Sequence, residues 1–410
     1  MKNSFARLKL ACYSVNVTMA IMGNLPPLLF ITFRELYGIS YTLLGLLVLI
    51  NFSTQLAVDL IFSFFSHKFN IPRTVKLTPF IAFVGLVIFA LAPIITPGME
   101  YAGIVLGTVI FSAASGLAEV LISPVIAAIP SDDPDREMSK LHAVYAWGVV
   151  PVIVIGTLFL LFFGNTYWQL LVLLFTIVPL FSFILYIGVE IPKMETPERV
   201  SGAVSFLKNK ALWLCVGAIF LGGASECTMA QWASGYLEQA LLIPKAWGDI
   251  LGVALFAVTL GIGRTMYSKI GKNIYRVLFV GACGATACYL ICAVTPFPIL
   301  GLVACALTGL CVSMMWPGSL IVSSEKFPAG GVFIFAMMAS GGDLGASVGP
   351  QLVGVVTDTV MSVSGIENVA ARLSLAPEQL GMKLGMLVGM LFPLAAIFLY
   401  LYIMKTKDKK

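Results

Sequence analysis

The sequence predicts an all-α polytopic membrane protein with twelve transmembrane helices in two six-helix bundles. Of its 410 residues, 59% are hydrophobic and only 11% are charged, whereas a soluble domain carries roughly 25% charged residues. Apolar runs of about 20 residues, enough to cross a bilayer as helix, recur along the whole chain. A run such as LLVLLFTIVPLFSFILYIGV does not alternate as the short strands of a membrane barrel would.

Twelve apolar runs are the predicted spans, at residues 8–33, 41–65, 75–95, 101–129, 140–163, 167–189, 211–239, 247–269, 275–295, 298–323, 328–358 and 380–404. The first run is too long for a cleaved signal peptide and is expected to remain as a helix. A hydrophilic connector, residues 191–210, separates six spans from six, which predicts an N-terminal bundle at 1–190 and a C-terminal bundle at 211–410. Residues 359–379 are expected outside the membrane, with a small surface helix.

The distribution of basic residues predicts the orientation of the chain. With both termini in the cytoplasm, all but four of the 25 lysines and arginines fall on the cytoplasmic side, as the positive-inside bias requires. The four expected outside are Arg34, Lys245, Arg372 and Lys383. The net charge of +5 therefore indicates topology, and we expect no nucleic-acid partner. The predicted location is the cell membrane, the inner one if the protein is bacterial.

Several classes of function lack their usual signals. The eight cysteines all fall inside predicted spans, so neither a disulfide framework nor a metal site is expected. The loops are too short for a soluble catalytic domain, and no cofactor motif is present; the chain is not expected to be an enzyme. The expected partners are the lipid bilayer, a small-molecule substrate and a coupling cation, and the expected state is a monomer.

Four acids lie well inside predicted spans: Asp59, Glu119, Glu226 and Asp343. An acid at the centre of a membrane helix costs roughly 2.5–3.5 kcal/mol, so it normally faces a cavity or a partner. Three of them belong to polar stripes, because residues three and four apart share a helix face. The stripes are Asn51, Gln55, Asp59 and Ser63; Ser112, Ser115, Glu119 and Ser123; and Ser340, Asp343, Ser347 and Gln351. Simple hydrogen bonding between helices is the alternative interpretation.

The seventh span has small, polar and aromatic faces and is therefore predicted to be central in its bundle. Glu226 shares a face with glycines and alanines, which let another backbone approach. Trp232 beside Gln231 is typical of a binding wall, although packing alone would also explain the tryptophan. In the first span, Asn24 precedes two prolines that are expected to break or kink the helix.

Basic residues are expected only at the ends of spans, with Arg264 at the cytoplasmic end of the eighth. A carrier of phosphates or carboxylates needs a base at its site, so a neutral or cationic substrate is predicted. Acids without basic partners also suit coupling to protons or Na⁺.

Two loops resemble the signature Gly-x-x-x-Asp-Arg-x-Gly-Arg of the major facilitator superfamily. SFFSHKFNIPRTVKL carries His67 and Lys68 at the Asp-Arg place, and RTMYSKIGKNIYRVL keeps Gly271 and Lys272 but has Ser268 for the acid. The resemblance implies that spans 1, 4, 7 and 10 line a central cavity, that 2, 5, 8 and 11 flank it, and that the others lie outside. None of the four buried acids falls on an outer span.

Within that superfamily the chain resembles the fucose–galactose–glucose proton symporters. The likeness rests on GLAEVLISPVIAAI in the fourth span, the spacing from Glu226 to Trp232, and GIGR ending at Arg264, with a looser match at SMMWPG around Trp316. It implies that Glu119 is the acid of the fourth span. Ser123 stands where that family has asparagine, and the acid of its first span is missing near Pro27.

Together these features predict a secondary transporter for a small neutral solute, a sugar or sugar derivative, driven by proton or sodium coupling. The alternatives are an efflux carrier for cationic or amphipathic drugs and a membrane sensor or scaffold that transports nothing. The predicted substrate-binding residues are Asn24, Glu119, Glu226, Gln231, Trp232 and Trp316. The predicted coupling and gating residues are Asp59, Glu119, Glu226, Asp343 and Arg264.

Overall fold

The structure is a computed structural model that describes residues 2–65, 68–130, 134–192, 207–270, 273–327 and 331–407. These residues are almost entirely helical, and no strand occurs among them. His67, Gly271, Lys272 and most of the connector lie outside the described residues. The predicted bundle boundaries at residues 190 and 211, and the loop resemblance, therefore stay predictions.

The first six predicted spans correspond to helices α1–α8. The first span breaks at Leu29, two residues after Pro27, as predicted, because proline removes backbone hydrogen bonds inside a helix. The sixth is split at Thr176. The helices are α1 (Lys2–Leu28), α2 (Phe30–Tyr37), α3 (Tyr41–Phe65), α4 (Ile71–Ile95), α5 (Glu100–Ala128), α6 (Pro134–Phe163), α7 (Trp168–Phe175) and α8 (Ile177–Tyr186), with a 3₁₀ turn at Asn165–Tyr167.

The last six spans correspond to helices α9–α17. The eighth begins with a helical turn, Lys245–Trp247, and a π-helical segment, Gly248–Ala254, before α10. The tenth span is broken between α12 and α13. The helices are α9 (Lys210–Leu241), α10 (Leu255–Ile270), α11 (Ile274–Val294), α12 (Pro298–Val312), α13 (Met315–Lys326), α14 (Gly331–Ser362), α15 (Ile366–Arg372), α16 (Pro377–Gly389) and α17 (Leu391–Lys407).

The predicted fold class is confirmed. Ten spans in the described part of the chain are long and apolar enough to cross a membrane, and α1 with α2 makes an eleventh if the broken pair is one span. Helix α14 covers the remaining predicted stretch. The short helix α15 lies where a surface helix was expected.

The chain divides into two compact units. Unit 1 contains residues 1–29 and 50–205, and unit 2 contains residues 30–49 and 206–410. In unit 1, α4 packs closely on α5, since Gly107 brings its backbone against Phe89. A hydrogen bond of 2.7 Å from Asn16 to the carbonyl of Leu141 joins α1 to α6.

In unit 2, α9 is central, as its three-faced sequence predicted. It packs against α12, α13, α14, α16 and α17. The contact with α14 is closest, because a Cβ atom on Gly345 would lie only 2.0 Å from the carbonyl oxygen of Phe220. The glycine-rich stretch of the eleventh span therefore serves tight helix packing, which agrees with small residues at membrane helix contacts.

Candidate functional site

In unit 1, the polar stripes of α3 and α5 face each other. The Oδ1 atom of Asn51 accepts hydrogen bonds from Ser112 Oγ at 2.6 Å and from Gln55 Nε2 at 3.2 Å. Gly116 permits this approach, since a Cβ atom there would lie 3.1 Å from the Cα atom of Gln55. All three hydrogen-bonded side chains are buried. The two stripes are thus one shared polar interface inside unit 1.

This interface leads to two carboxyl groups. Asp59 on α3 is fully buried, and Glu119 on α5 is partly buried. Carboxylate oxygens of the two residues lie within 4.8 Å of each other. Two carboxylates this close repel each other when both are charged in a low-dielectric setting. Such a pair can take up a proton or bind a monovalent cation.

The other candidate residues of unit 1 are less informative. Asn24 is 8% exposed and donates its amide to Ala20 on its own helix at 2.9 Å. The side chains of Ser63, Ser123 and Pro124 lie outside the described residues. The structure therefore gives Asn24 a local hydrogen bond, and its contact with a substrate stays a prediction.

In unit 2, Glu226 and Arg264 form an ion pair. Nη2 of Arg264 lies 3.0 Å from Oε1 and 3.1 Å from Oε2 of Glu226. The expectation that interior acids have no basic partner is wrong for Glu226. Although Arg264 lies near the end of its span, its long side chain reaches a carboxylate in the middle of α9. The side chain of Glu226 is 13% exposed and that of Arg264 is 22% exposed, so each keeps some accessible surface.

A second contact of Arg264 depends on the break in the tenth span. Its Nε atom donates to the carbonyl of Ser313 at 3.1 Å. In an unbroken helix that carbonyl would accept from the amide of residue 317, but Pro317 has no amide hydrogen. The guanidinium thus satisfies the carbonyl that the proline leaves without its helical donor. Sequence reasoning missed this role of Ser313, although the proline four residues later was the available signal.

Trp316 is the third side chain of the candidate site in unit 2, with Glu226 and Arg264. It is partly buried, and a Cβ atom on Gly223 would lie 3.0 Å from its ring. Gly223 and Glu226 share a face of α9 because they are three residues apart. One side of α9 therefore faces the ring of Trp316 and takes part in an ion pair whose two charges cancel. This combination offers apolar area, hydrogen-bond donors and acceptors, and no net charge.

Trp232 has a different environment from the one predicted. It is 1% exposed, donates its indole N–H to the carbonyl of Pro350 at 2.8 Å, and packs against the rings of Phe30 and Tyr41. In this conformation the structure supports the packing interpretation, because no indole face is open to a solute. Gln231 and Asp343 are also buried, at 7% and 1% exposure, and their predicted roles stay predictions.

Comparisons with known proteins identify the family. A model of the Major Facilitator Superfamily matches residues 11–350, while a search of curated proteins finds no significant match. The fold is similar to a bacterial homologue of the human lysosomal transporter Spinster in an inward-facing and occupied conformation, with TM-score 0.77 and 14% identity. That alignment covers 99% of this chain and 98% of the homologue.

Two further solved structures are similar to this chain. The nucleoside transporter NupG has a TM-score of 0.70 and 13% identity over 97% of this chain and 99% of its own. A variant of the E. coli fucose:proton symporter FucP has a TM-score of 0.60 and 16% identity, over 95% and 98%. These likenesses show the fold, and the family match covers most of the sequence. The chain belongs to the Major Facilitator Superfamily of membrane transport proteins.

Proposed function

We propose that the protein is a secondary active transporter that moves a small neutral polyhydroxylated solute by alternating access. The solute is a sugar or a sugar derivative such as a nucleoside, and transport is coupled to protons or sodium ions. The observation that carries the proposal is the ion pair of Glu226 and Arg264 beside Trp316, because its two charges cancel.

The pair favours a neutral solute over an anion. A carboxylate or phosphate that approached Arg264 would meet Glu226 on the same guanidinium. At about 4 Å and an effective dielectric constant near 20, two like charges repel by roughly 4 kcal/mol. Hydroxyl groups meet no such cost, because they donate to the carboxylate and accept from the guanidinium. The ring of Trp316 then offers apolar surface to the solute, as binding pockets usually do.

The paired carboxyl groups of Asp59 and Glu119 support cation coupling. Close carboxyl groups gain stability by sharing a proton or a cation, and intramembrane acids commonly mark ion pathways. Two similar structures support the substrate class, since one is a fucose:proton symporter and another a nucleoside transporter. Fucose and nucleosides are both uncharged and rich in hydroxyl groups.

The test is solute exchange and uptake in proteoliposomes. We expect L-fucose, D-galactose or uridine to exchange across the membrane, and a sugar phosphate or lactate to exchange at least ten times more slowly. With a proton or sodium gradient imposed, the preferred solute should accumulate. Fastest exchange of an anionic solute would contradict the proposal.

The coupling role is tested by Glu119→Gln. We expect this variant to lose accumulation against a gradient while keeping exchange, because the amide cannot cycle a proton. The matched control is Glu100→Gln at the beginning of the same helix, which should accumulate solute normally. Accumulation by Glu119→Gln at the wild-type level would exclude a coupling role for this residue.

A further inference from the structure

Two thiols from neighbouring helices meet inside unit 2. Sγ of Cys292, in the last turn of α11, lies 3.7 Å from Sγ of Cys305 on α12. The Cys292 thiol also lies 3.9 Å from the carbonyl oxygen of Gly301, one turn before Cys305. Both cysteines are fully buried, and both carry free thiols in this structure. The two sulfur atoms therefore contact each other away from solvent.

Side chains of two other helices hold the end of α11 in place. The hydroxyl of Tyr236 on α9 donates to the carbonyl of Cys292, and Nζ of Lys383 on α16 donates to the carbonyl of Thr295, directly after α11. The last carbonyls of a helix lack partners within it, and a positive charge suits that end. A Cβ atom on Gly301 would lie 3.3 Å from the Tyr236 hydroxyl, so this hydroxyl lies close to both α11 and α12.

The two cysteines lie near helix ends that are predicted to face out of the cell. Helix α11 ends at Val294, two residues after Cys292, and residues 296–300, which lead into α12, are exposed. The distribution of basic residues predicts this end outside the cytoplasm, where disulfides form and persist. The sequence did not indicate the pair, because both cysteines fall inside predicted spans.

The surroundings favour a disulfide over a metal ion. A sulfur–sulfur bond measures about 2.05 Å, so the two atoms must approach by about 1.7 Å. The product is uncharged, which suits a buried position where an isolated charge is costly. A structural zinc ion needs four ligands, and among the described residues no third metal-ligating side chain lies close to both sulfurs.

We propose that Cys292 and Cys305 are a disulfide-forming site that joins α11 to α12 when a hydroperoxide oxidises it. One thiol sulfur attacks an oxygen of the peroxide, whose O–O bond breaks, and the products are a sulfenic acid and water, in the case of hydrogen peroxide. The second thiol attacks the sulfenic sulfur, the S–O bond breaks, and the disulfide forms with release of a second water. The peroxide gains the two electrons that the two thiols lose. The site goes beyond the proposed transport function and does not depend on the solute.

Counting thiols after oxidation tests the site. The purified protein in nanodiscs is treated with hydrogen peroxide and then with catalase, and it is denatured in the presence of N-ethylmaleimide. Its intact mass gives the number of alkylated thiols. Of the eight cysteines, two should be protected in most wild-type molecules, and dithiothreitol should make both reactive again.

Single variants identify the two protected cysteines. Cys292→Ala and Cys305→Ala should each abolish the paired protection. The matched control is Cys311→Ala, because Cys311 makes a side-chain hydrogen bond with Cys288 between the same two helices. This control should keep two thiols protected. Absence of protection in the wild-type protein, or paired protection that survives Cys305→Ala, would overturn the proposal.

A melting experiment tests whether the bond fastens the two helices. We expect oxidised wild-type protein to melt at least about 2 °C above the reduced form, because a disulfide restricts the unfolded chain. Cys305→Ala should melt at one temperature with and without peroxide, which controls for oxidation elsewhere. Equal melting temperatures for the two wild-type forms would show that the helices gain nothing from the bond and would overturn the proposal.

Neither experiment uses a solute, so the two proposals can fail separately. A protein that forms the disulfide but exchanges none of the tested solutes rejects the proposed function and leaves the disulfide site intact. A protein that exchanges L-fucose or uridine but keeps all its thiols reactive after peroxide rejects the disulfide site alone.

Discussion

The ion pair of Glu226 and Arg264 shows how single residues at membrane depth are stabilised. A charge buried alone is costly, but a partner and additional hydrogen bonds offset much of that cost. Here Arg264 satisfies both the carboxylate and the Ser313 carbonyl. The two residues are therefore interdependent, and the loss of either one leaves the charge of the other without its partner.

A double-mutant cycle tests whether Glu226 and Arg264 depend on each other. Glu226→Gln and Arg264→Gln should each lower the free energy of unfolding by about 1–3 kcal/mol, since each leaves a partly buried charge without its partner. The double variant should be more stable than the sum of the two losses implies, by at least about 1 kcal/mol. Denaturant unfolding of the purified protein measures both. Arg276→Gln, at an exposed position of α11, is the control, and strictly additive losses would contradict a direct interaction.

The sequence pattern indicates which acids lie inside the spans, but it does not show their partners. Asp59 and Glu119 were found because a carboxylate is expensive inside an apolar run, and their stripes indicated the faces that meet. The partner of Glu226 lies 38 residues away, and no local pattern shows where a long arginine side chain ends. The burial of Trp232 could not be predicted from its neighbours in sequence, because Phe30 and Tyr41, which cover it, belong to distant parts of the chain.

Helices α9 and α14 pack closely because a glycine at their contact, Gly345, has no side chain. The spans themselves followed from length and hydropathy, and the break of the first span followed from its two prolines. The break at Ser313 and the π-helical segment Gly248–Ala254 were not predicted, because apolar runs look alike whether the helix is continuous or not. The glycines and alanines on the face of Glu226, in contrast, indicated that another backbone packs against α9.

The prediction for this contact is that Gly345→Ala destabilises unit 2. The added methyl group would overlap the carbonyl oxygen of Phe220, and overpacking of this kind costs about 1–3 kcal/mol. We expect a lower melting temperature by size-exclusion thermostability. Gly217→Ala on α9 is the matched control, since its Cβ atom would meet Leu399 at an ordinary 3.6 Å. Equal melting temperatures for the two variants would show that the helices can separate at no cost.

For the whole molecule, the unequal distribution of basic residues predicts the orientation in the bilayer. Arg372, on the surface helix α15, is expected on the outer side together with Arg34, Lys245 and Lys383. Most of the remaining lysines and arginines lie at the other ends of the helices. This asymmetry is a property of the complete sequence and cannot be read from any one span.

Reporter fusions test the orientation. A fluorescent protein fused after Lys410 should fold and fluoresce, because the C-terminus is predicted to be cytoplasmic. A chain truncated after Gly365 and fused there to a phosphatase that is active only outside the cytoplasm should show enzyme activity. The same phosphatase fused after Lys326 should be inactive. The reverse pattern would invert the topology and place α15 inside the cell.

Pro317 and Arg264 lie 53 residues apart in the sequence, but the missing amide hydrogen of the proline links them. Because Arg264 donates to the carbonyl that the proline leaves open, the arginine acts as part of the backbone ladder of another helix. A chain with an ordinary residue at 317 would close that ladder by itself and release position 264 from the task. Because the arginine also pairs with Glu226, we expect the dependence to run one way: a related chain that lacks the arginine should also lack the proline.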